Sequence, residues 1–239
     1  MKLIKCDKVR AAMTDPSVNL SVIGFFQISE ETVTELMGEL KVDGVTTKRE
    51  YNALWVITKC KLRVFGSIAW NEEYSVTGFI SKISRATLNI DVEIRNKAEE
   101  LCGCLKTEIC ALDLDTGKIR KTSTVGIDES FSEETPEVEM AFSKFDTDNL
   151  SEVDKVQIKY ASIDYAGHAN NKEYIRFMLD TYSVAELEER PIKEMEVIYS
   201  GQSYENDILS ISKRSDGDRD IIAIQKNGDF IVKSEIIRG

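Results

Sequence analysis

From Asn171 to about Leu187 the chain carries apolar residues on two helical stripes at once: Tyr174, Phe177 and Met178 on one, Ile175, Leu179 and Tyr182 on the other. A helix that is apolar around most of its circumference belongs inside a protein. The segments that follow supply the enclosure. Lys193 to Tyr199, Asp207 to Ser212, Asp220 to Lys226 and Asp229 to Ile237 are short and rich in β-branched residues, the pattern of strands. Asn227-Gly228 joins the last two, and that pair favours a two-residue hairpin. A buried helix followed by antiparallel strands predicts a curved sheet wrapped around the helix.

The first half of the chain repeats this order. Val33, Leu36, Met37 and Leu40 form an amphipathic stripe behind Ser29, a plausible N-cap, and strands are expected over Ala53 to Phe65, Tyr74 to Ile83, Thr87 to Arg95 and Leu101 to Leu112. The pattern is therefore written twice, with long helices each wrapped by an antiparallel sheet, an α+β arrangement. Residues 1–127 are expected to form the first repeat and 151–239 the second. Residues 128–150, which contain Asp128-Glu-Ser-Phe-Ser-Glu-Glu-Thr-Pro-Glu, read as an acidic linker.

Composition removes several function classes. The net charge of −11 disfavours general nucleic-acid binding, which needs basic surface to neutralise phosphates. No apolar run approaches the roughly 20 residues that cross a bilayer. The start, Met-Lys-Leu-Ile-Lys-Cys-Asp, lacks a signal-peptide core, so a cytoplasmic protein without membrane attachment is expected. Five cysteines in such a chain read as reduced thiols, and Cys102-Gly-Cys104 has no partner pair at metal-site spacing, so no metal and no cofactor are expected. Lys59, Lys61 and Arg63, or Lys118, Arg120 and Lys121, could offer a local basic surface to an acidic partner.

Directly ahead of the second helix lies Asp164-Tyr-Ala-Gly-His168-Ala-Asn170-Asn171, with the only histidine of the chain. Two readings of these residues stand side by side. Asn caps helices and Gly makes turns, so the segment can be a helix entry and nothing more. It also sets an acid/base group, a carboxylate and two carboxamides against free helix N–H groups, which can polarise a carbonyl.

A strand over Lys155 to Ile163, then Asp-x-x-x-His-x-Asn-Asn, then a buried helix with Tyr174 and Leu179-Asp180, resembles the second repeat of the acyl-acyl carrier protein thioesterases of bacteria and plant plastids. In the first half, Leu54-Trp55-Val56-Ile57 with Lys59, and later Ser84-Arg85, are similar to that family as well. The resemblance implies a tandem (double) hotdog fold and release of a fatty acid from acyl carrier protein in fatty acid biosynthesis. It places Asp164, His168 and Gln202 at catalytic positions, and Asn170 and Asn171 where an oxyanion or substrate is held. Two positions depart from the family: Ala166 stands where it has a catalytic Asn, and Gln202 where it has an acid, often Glu. Ser203 stands where plant members often carry Cys.

On that reading, His168 orients or deprotonates water, Asp164 fixes its tautomer, and Glu205 is a possible replacement acid. Val33, Leu36, Met37 and Leu40 could line the acyl chain or be core. A homodimer through free sheet edges is possible. The alternatives are a non-catalytic acyl-thioester binder and an enoyl-thioester hydratase of the same fold. Asp113-Leu-Asp115-Thr-Gly is similar to a phosphotransfer motif, but between alternating strands it reads as a turn.

Overall fold

The computed structural model describes residues 1–132, 134–164 and 166–239. Glu133, in the acidic stretch, and Tyr165, ahead of the second helix, lie outside the described residues. The chain forms two compact units, Met1–Ala141 and Phe142–Gly239.

In the first unit, β1 (Lys2–Lys8) precedes α1 (Val22–Glu39) and α2 (Gly44–Tyr51), followed by β2 (Ala53–Val64), β3 (Glu73–Ile83), β4 (Leu88–Asn96) and β5 (Leu101–Asp113). The strands pair antiparallel in the order β1-β3-β4-β5-β2. In the second unit, β6 (Ser151–Gln157) precedes α3 (Asn171–Leu179) and α4 (Val184–Glu189), followed by β7 (Ile192–Tyr199), β8 (Ile208–Asp216), β9 (Arg219–Lys226) and β10 (Asp229–Arg238). Their order is β6-β8-β9-β10-β7, again antiparallel and the same topology strand for strand. The duplication expected from the order of elements is therefore one of connectivity, and the fold is a tandem hotdog.

Several local expectations are corrected. α1 is capped by Ser21, whose Oγ accepts the Gly24 N–H at 3.0 Å, while Ser29 is buried inside the helix. The apolar run Val22-Ile-Gly-Phe-Phe hid this start, because it enters the core. α1 lies close on its sheet over two glycines: a Cβ at Gly103 would stand 2.6 Å from Phe25, and one at Gly78 would stand 2.5 Å from Thr32. The buried helix beyond Asn171 is two helices, broken after Leu179, with Ser183 and Glu186 forming a capping box that restarts the chain as α4. The strand expected to reach Ile163 stops at Gln157, and a 3-10 turn spans Tyr160–Ser162. The strand β1 and the polar helix α2 had no clear periodic signal.

The hairpin signals behave as their chemistry requires. Asn227 and Gly228 both have positive φ, 54° and 91°, and Lys226 pairs with Asp229. The Asp113 carboxylate accepts the Thr116 N–H at 2.9 Å, building the turn read from that motif.

Leu36 and Met37 sit in a core cluster with Ala53, Ile80, Leu88 and Ile109, with Val33 and Leu40 packed against it. Lys61 is only 4% exposed and donates to the Ala141 carbonyl, and the buried Lys106 donates to the Met140 carbonyl. Lys61 is thus not part of an open basic surface, and Lys59 pairs with Glu108 at 3.3 Å. Arg120 is likewise engaged, by the carbonyls of Tyr51 and Thr124. All five cysteines are free thiols, and burial pushes Cys104 up to about 12. Among the described residues, no helix is long and apolar enough to cross a membrane.

Asp43 caps α2, accepting from the N–H groups of Val45 and Thr46 and from the Thr46 hydroxyl. The Thr46 hydroxyl first, then the backbone N–H groups, hold its carboxyl below 3.8. A depressed folded-state value means that this contribution is present above 3.8 and lost as pH falls through the folded value. Asp43→Ala is expected to cost about 1 kcal/mol near neutral pH, with a smaller difference from wild type in acid, as read by urea unfolding at both pH values.

Candidate functional site

Asp164 and the residues from Ala166 to Asn170 are held in a tight turn by their own backbone. Asp164 N–H donates to the His168 carbonyl at 3.0 Å, Gly167 N–H to the Asp164 carbonyl at 3.0 Å, and Ala166 N–H to Asp164 Oδ1 at 2.8 Å. Ile163 bridges Ala169, and Asn170 N–H donates to the Ser162 carbonyl. These bonds present the His168 side chain, 20% exposed, beside the Asp164 carboxylate. His168 Nδ1 lies 3.8 Å from Asp164 Oδ2 and 3.4 Å from the Ala169 carbonyl. Both neighbours are acceptors, so the tautomer with its proton on Nδ1 is assigned, and Nε2 keeps a lone pair.

Asn170 is the N-cap of α3: its Oδ1 accepts the Lys172 N–H at 3.0 Å, and its carbonyl accepts the Glu173 N–H at 2.9 Å. Among the described residues, that leaves the Asn171 N–H and the Asn170 Nδ2 as donors at the positive end of the helix. The helix-entry reading is thus observed, and the cap and the remaining donors come from the same residues.

The chain returns over this helix start after β7. Ala169 N–H donates to the Ser203 carbonyl at 2.8 Å, which ties the residue after His168 to the residue after Gln202. Gln202 is exposed, and its Oε1 accepts the Tyr204 hydroxyl at 3.3 Å. A carboxamide can orient water but cannot take its proton. Glu205 lies exposed in the turn that follows. Below the surface, Tyr174 of α3 and Ser203 join through their hydroxyls at 2.6 Å, and Ser203 N–H donates to Tyr174 Oη at 3.0 Å.

The first unit contains the same loop. Asp15 N–H donates to the Asn19 carbonyl, Val18 N–H to the Asp15 carbonyl, and Ser17 N–H to Asp15 Oδ1. Thr14 bridges Leu20, Ser21 N–H donates to the Met13 carbonyl, and Leu20 N–H to the Ile68 carbonyl. Each bond has its counterpart ahead of α3. The Asp at the head of the loop is thus a backbone cap in both units, and only in the second does a histidine face it, where the first has Asn19. Sequence reading missed this counterpart, although Asp15 and Ser21 are spaced like Asp164 and Asn170.

Residues 146–236 match the family model of the acyl-ACP thioesterase C-terminal domain. No curated protein matches the chain by sequence. Among solved structures, an acyl-ACP thioesterase from Bacteroides thetaiotaomicron is similar with a TM-score of 0.92 and 19% identity, over 100% of this chain and 98% of that one. A 12:0-ACP thioesterase from Umbellularia californica is similar with a TM-score of 0.83 and 13% identity, over 100% of this chain and 97% of that one. At these identities the two structures speak for the fold, and the sequence match to the acyl-ACP thioesterase C-terminal domain covers residues 146–236, the segment that holds His168.

Proposed function

We propose that the protein hydrolyses the thioester between a fatty acyl chain and its carrier protein, releasing the fatty acid. The observation that supports this most is His168 held against Asp164 at the mouth of α3, inside the matched domain. Water attacks the thioester carbonyl carbon while His168 Nε2 takes its proton, and Asp164 Oδ2 steadies the charged ring. The oxyanion faces the Asn171 N–H and the Asn170 carboxamide. Collapse breaks the carbon–sulfur bond, and the thiolate leaves with the proton from His168. Gln202 orients the water. A cytoplasmic setting and a homodimer through free sheet edges belong to the same proposal.

One observation favours a second reading, a thioester binder without turnover: Ala166 and Gln202 supply neither the amide nor the acid of the family. Purified protein, acyl-carrier thioester and a thiol-trapping dye separate the two. Thiol release that depends on the protein supports hydrolysis, and tight binding without release supports the binder. In the hydrolase, Ala166→Asn restores a polar group at the loop and is expected to raise kcat, by up to about 10²-fold, the reverse of deleting one transition-state donor.

A further inference from the structure

The two units offer an internal comparison at the residue that crosses the helix start. Tyr174 is the fourth residue of α3, and Phe25 is the fourth of α1. Ser203 accepts the Ala169 N–H, and Ile68 accepts the equivalent Leu20 N–H. The fold therefore fills the same pair of positions with Phe25 and Ile68, 2% and 0% exposed, in one unit, and with Tyr174 and Ser203, 1% and 0% exposed, in the other. Apolar side chains satisfy the architecture. Buried hydroxyls cost free energy unless they are bonded, so the polar pair is not there for packing, and it occurs in the unit that holds the histidine.

Its bonds show what it controls. Tyr174 Oη accepts the Ser203 N–H and shares a hydrogen bond with Ser203 Oγ, and the Ser203 carbonyl accepts the Ala169 N–H. A rigid helix is thus connected through one residue to the peptide after Gln202 and to the peptide after His168. We infer that the Tyr174–Ser203 pair is a positioning element of the site, which fixes the segment carrying Gln202 against the loop carrying His168. Both hydroxyls are buried and bonded to each other. Burial pushes the Tyr174 hydroxyl up, so it stays a protonated donor. The inference rests on the hydrolytic reading, because Gln202 and His168 must act on one water.

The bonds rank the variants. Ser203→Ala keeps the contact between the residue 203 N–H and Tyr174 Oη, so it is expected to be mild. Tyr174→Phe removes both contacts, and Tyr174→Phe with Ser203→Ile copies the pair the first unit already tolerates. In the last two, kcat is expected to fall by about 10²-fold, the scale of an ångström-level misplacement, with KM nearly unchanged. Exchange of the Ala169 amide with solvent deuterium, followed on the same samples, is expected to accelerate. Ser203→Cys should retain most of the activity. Folded Tyr174→Phe and double variants that keep the wild-type kcat would overturn the inference and leave the hydrolase standing. Wild-type protein that releases no thiol would overturn both.

Discussion

Replacing His168 with Asn is expected to lower kcat by about 10²–10⁴-fold, the range a positioned general base supplies, while the protein unfolds at the wild-type urea concentration. Asn is the informative choice because the Thr14–Ser21 loop holds Asn19 at the equivalent place with the same backbone bonds. The same backbone loop accommodates Asn there, so a loss of rate in a folded variant reports chemistry. KM should move little, since the helix-start donors remain and the acyl chain is held elsewhere. Thiol release by the His168→Asn variant at the wild-type rate would remove His168 from the mechanism. Asp164→Asn is gentler by the same reasoning: an amide oxygen still caps the Ala166 N–H, and only the charge facing His168 is lost.

The strands were legible because they alternate and because their turns carry specific chemistry, Asn227-Gly228 above all. Helix boundaries were less so. At α1, the run from Val22 to Phe26 is apolar without a polar face, so the stripe from Val33 to Leu40 dominated the pattern and Ser29 looked like the cap. At α3, apolar residues continue past Leu179, but Asp180, Thr181 and Ser183 stop the helix, and Tyr182 reaches the core from outside it. β6 is an exposed sheet edge with polar residues on both faces, so its start at Ser151 was not legible and the strand was read from Lys155 onward.

The site divided along another line. The proposed chemistry rested on a combination of residues, the one His of the chain four residues after an Asp and just ahead of the pair Asn170-Asn171. Its supports were not, because Ser203 and Tyr174 look ordinary in sequence and acquire meaning only from their contact. Asp164 shows the reverse case. Its presence in a motif pointed to catalysis, whereas its first task, shared with Asp15, is to cap a loop.

Arg238→Ala is expected to destabilise the second unit by about 3–5 kcal/mol, because it leaves a buried carboxylate without its cation. Asp220 is fully buried, and its Oδ2 accepts from Arg238 Nε at 2.7 Å and from the Tyr182 hydroxyl at 2.8 Å. Its Oδ1 has no hydrogen-bond partner among the described residues. Burial, and then the Asp220 charge, raise the Tyr182 hydroxyl's pKa, so it remains a donor. Lys213 lies with its Nζ 3.4 Å from the Tyr182 ring centroid, and burial lowers its affinity for a proton, so it is a poor substitute for the lost guanidinium. The cost therefore falls on Asp220 alone. Replacing both charges, as Asp220→Leu with Arg238→Met, should recover most of the loss, since a well-packed apolar pair removes the desolvation penalty along with the attraction. Urea unfolding of the single and double variants measures this directly. A single variant within about 1 kcal/mol of wild type would mean that water reaches Asp220, which its complete burial argues against.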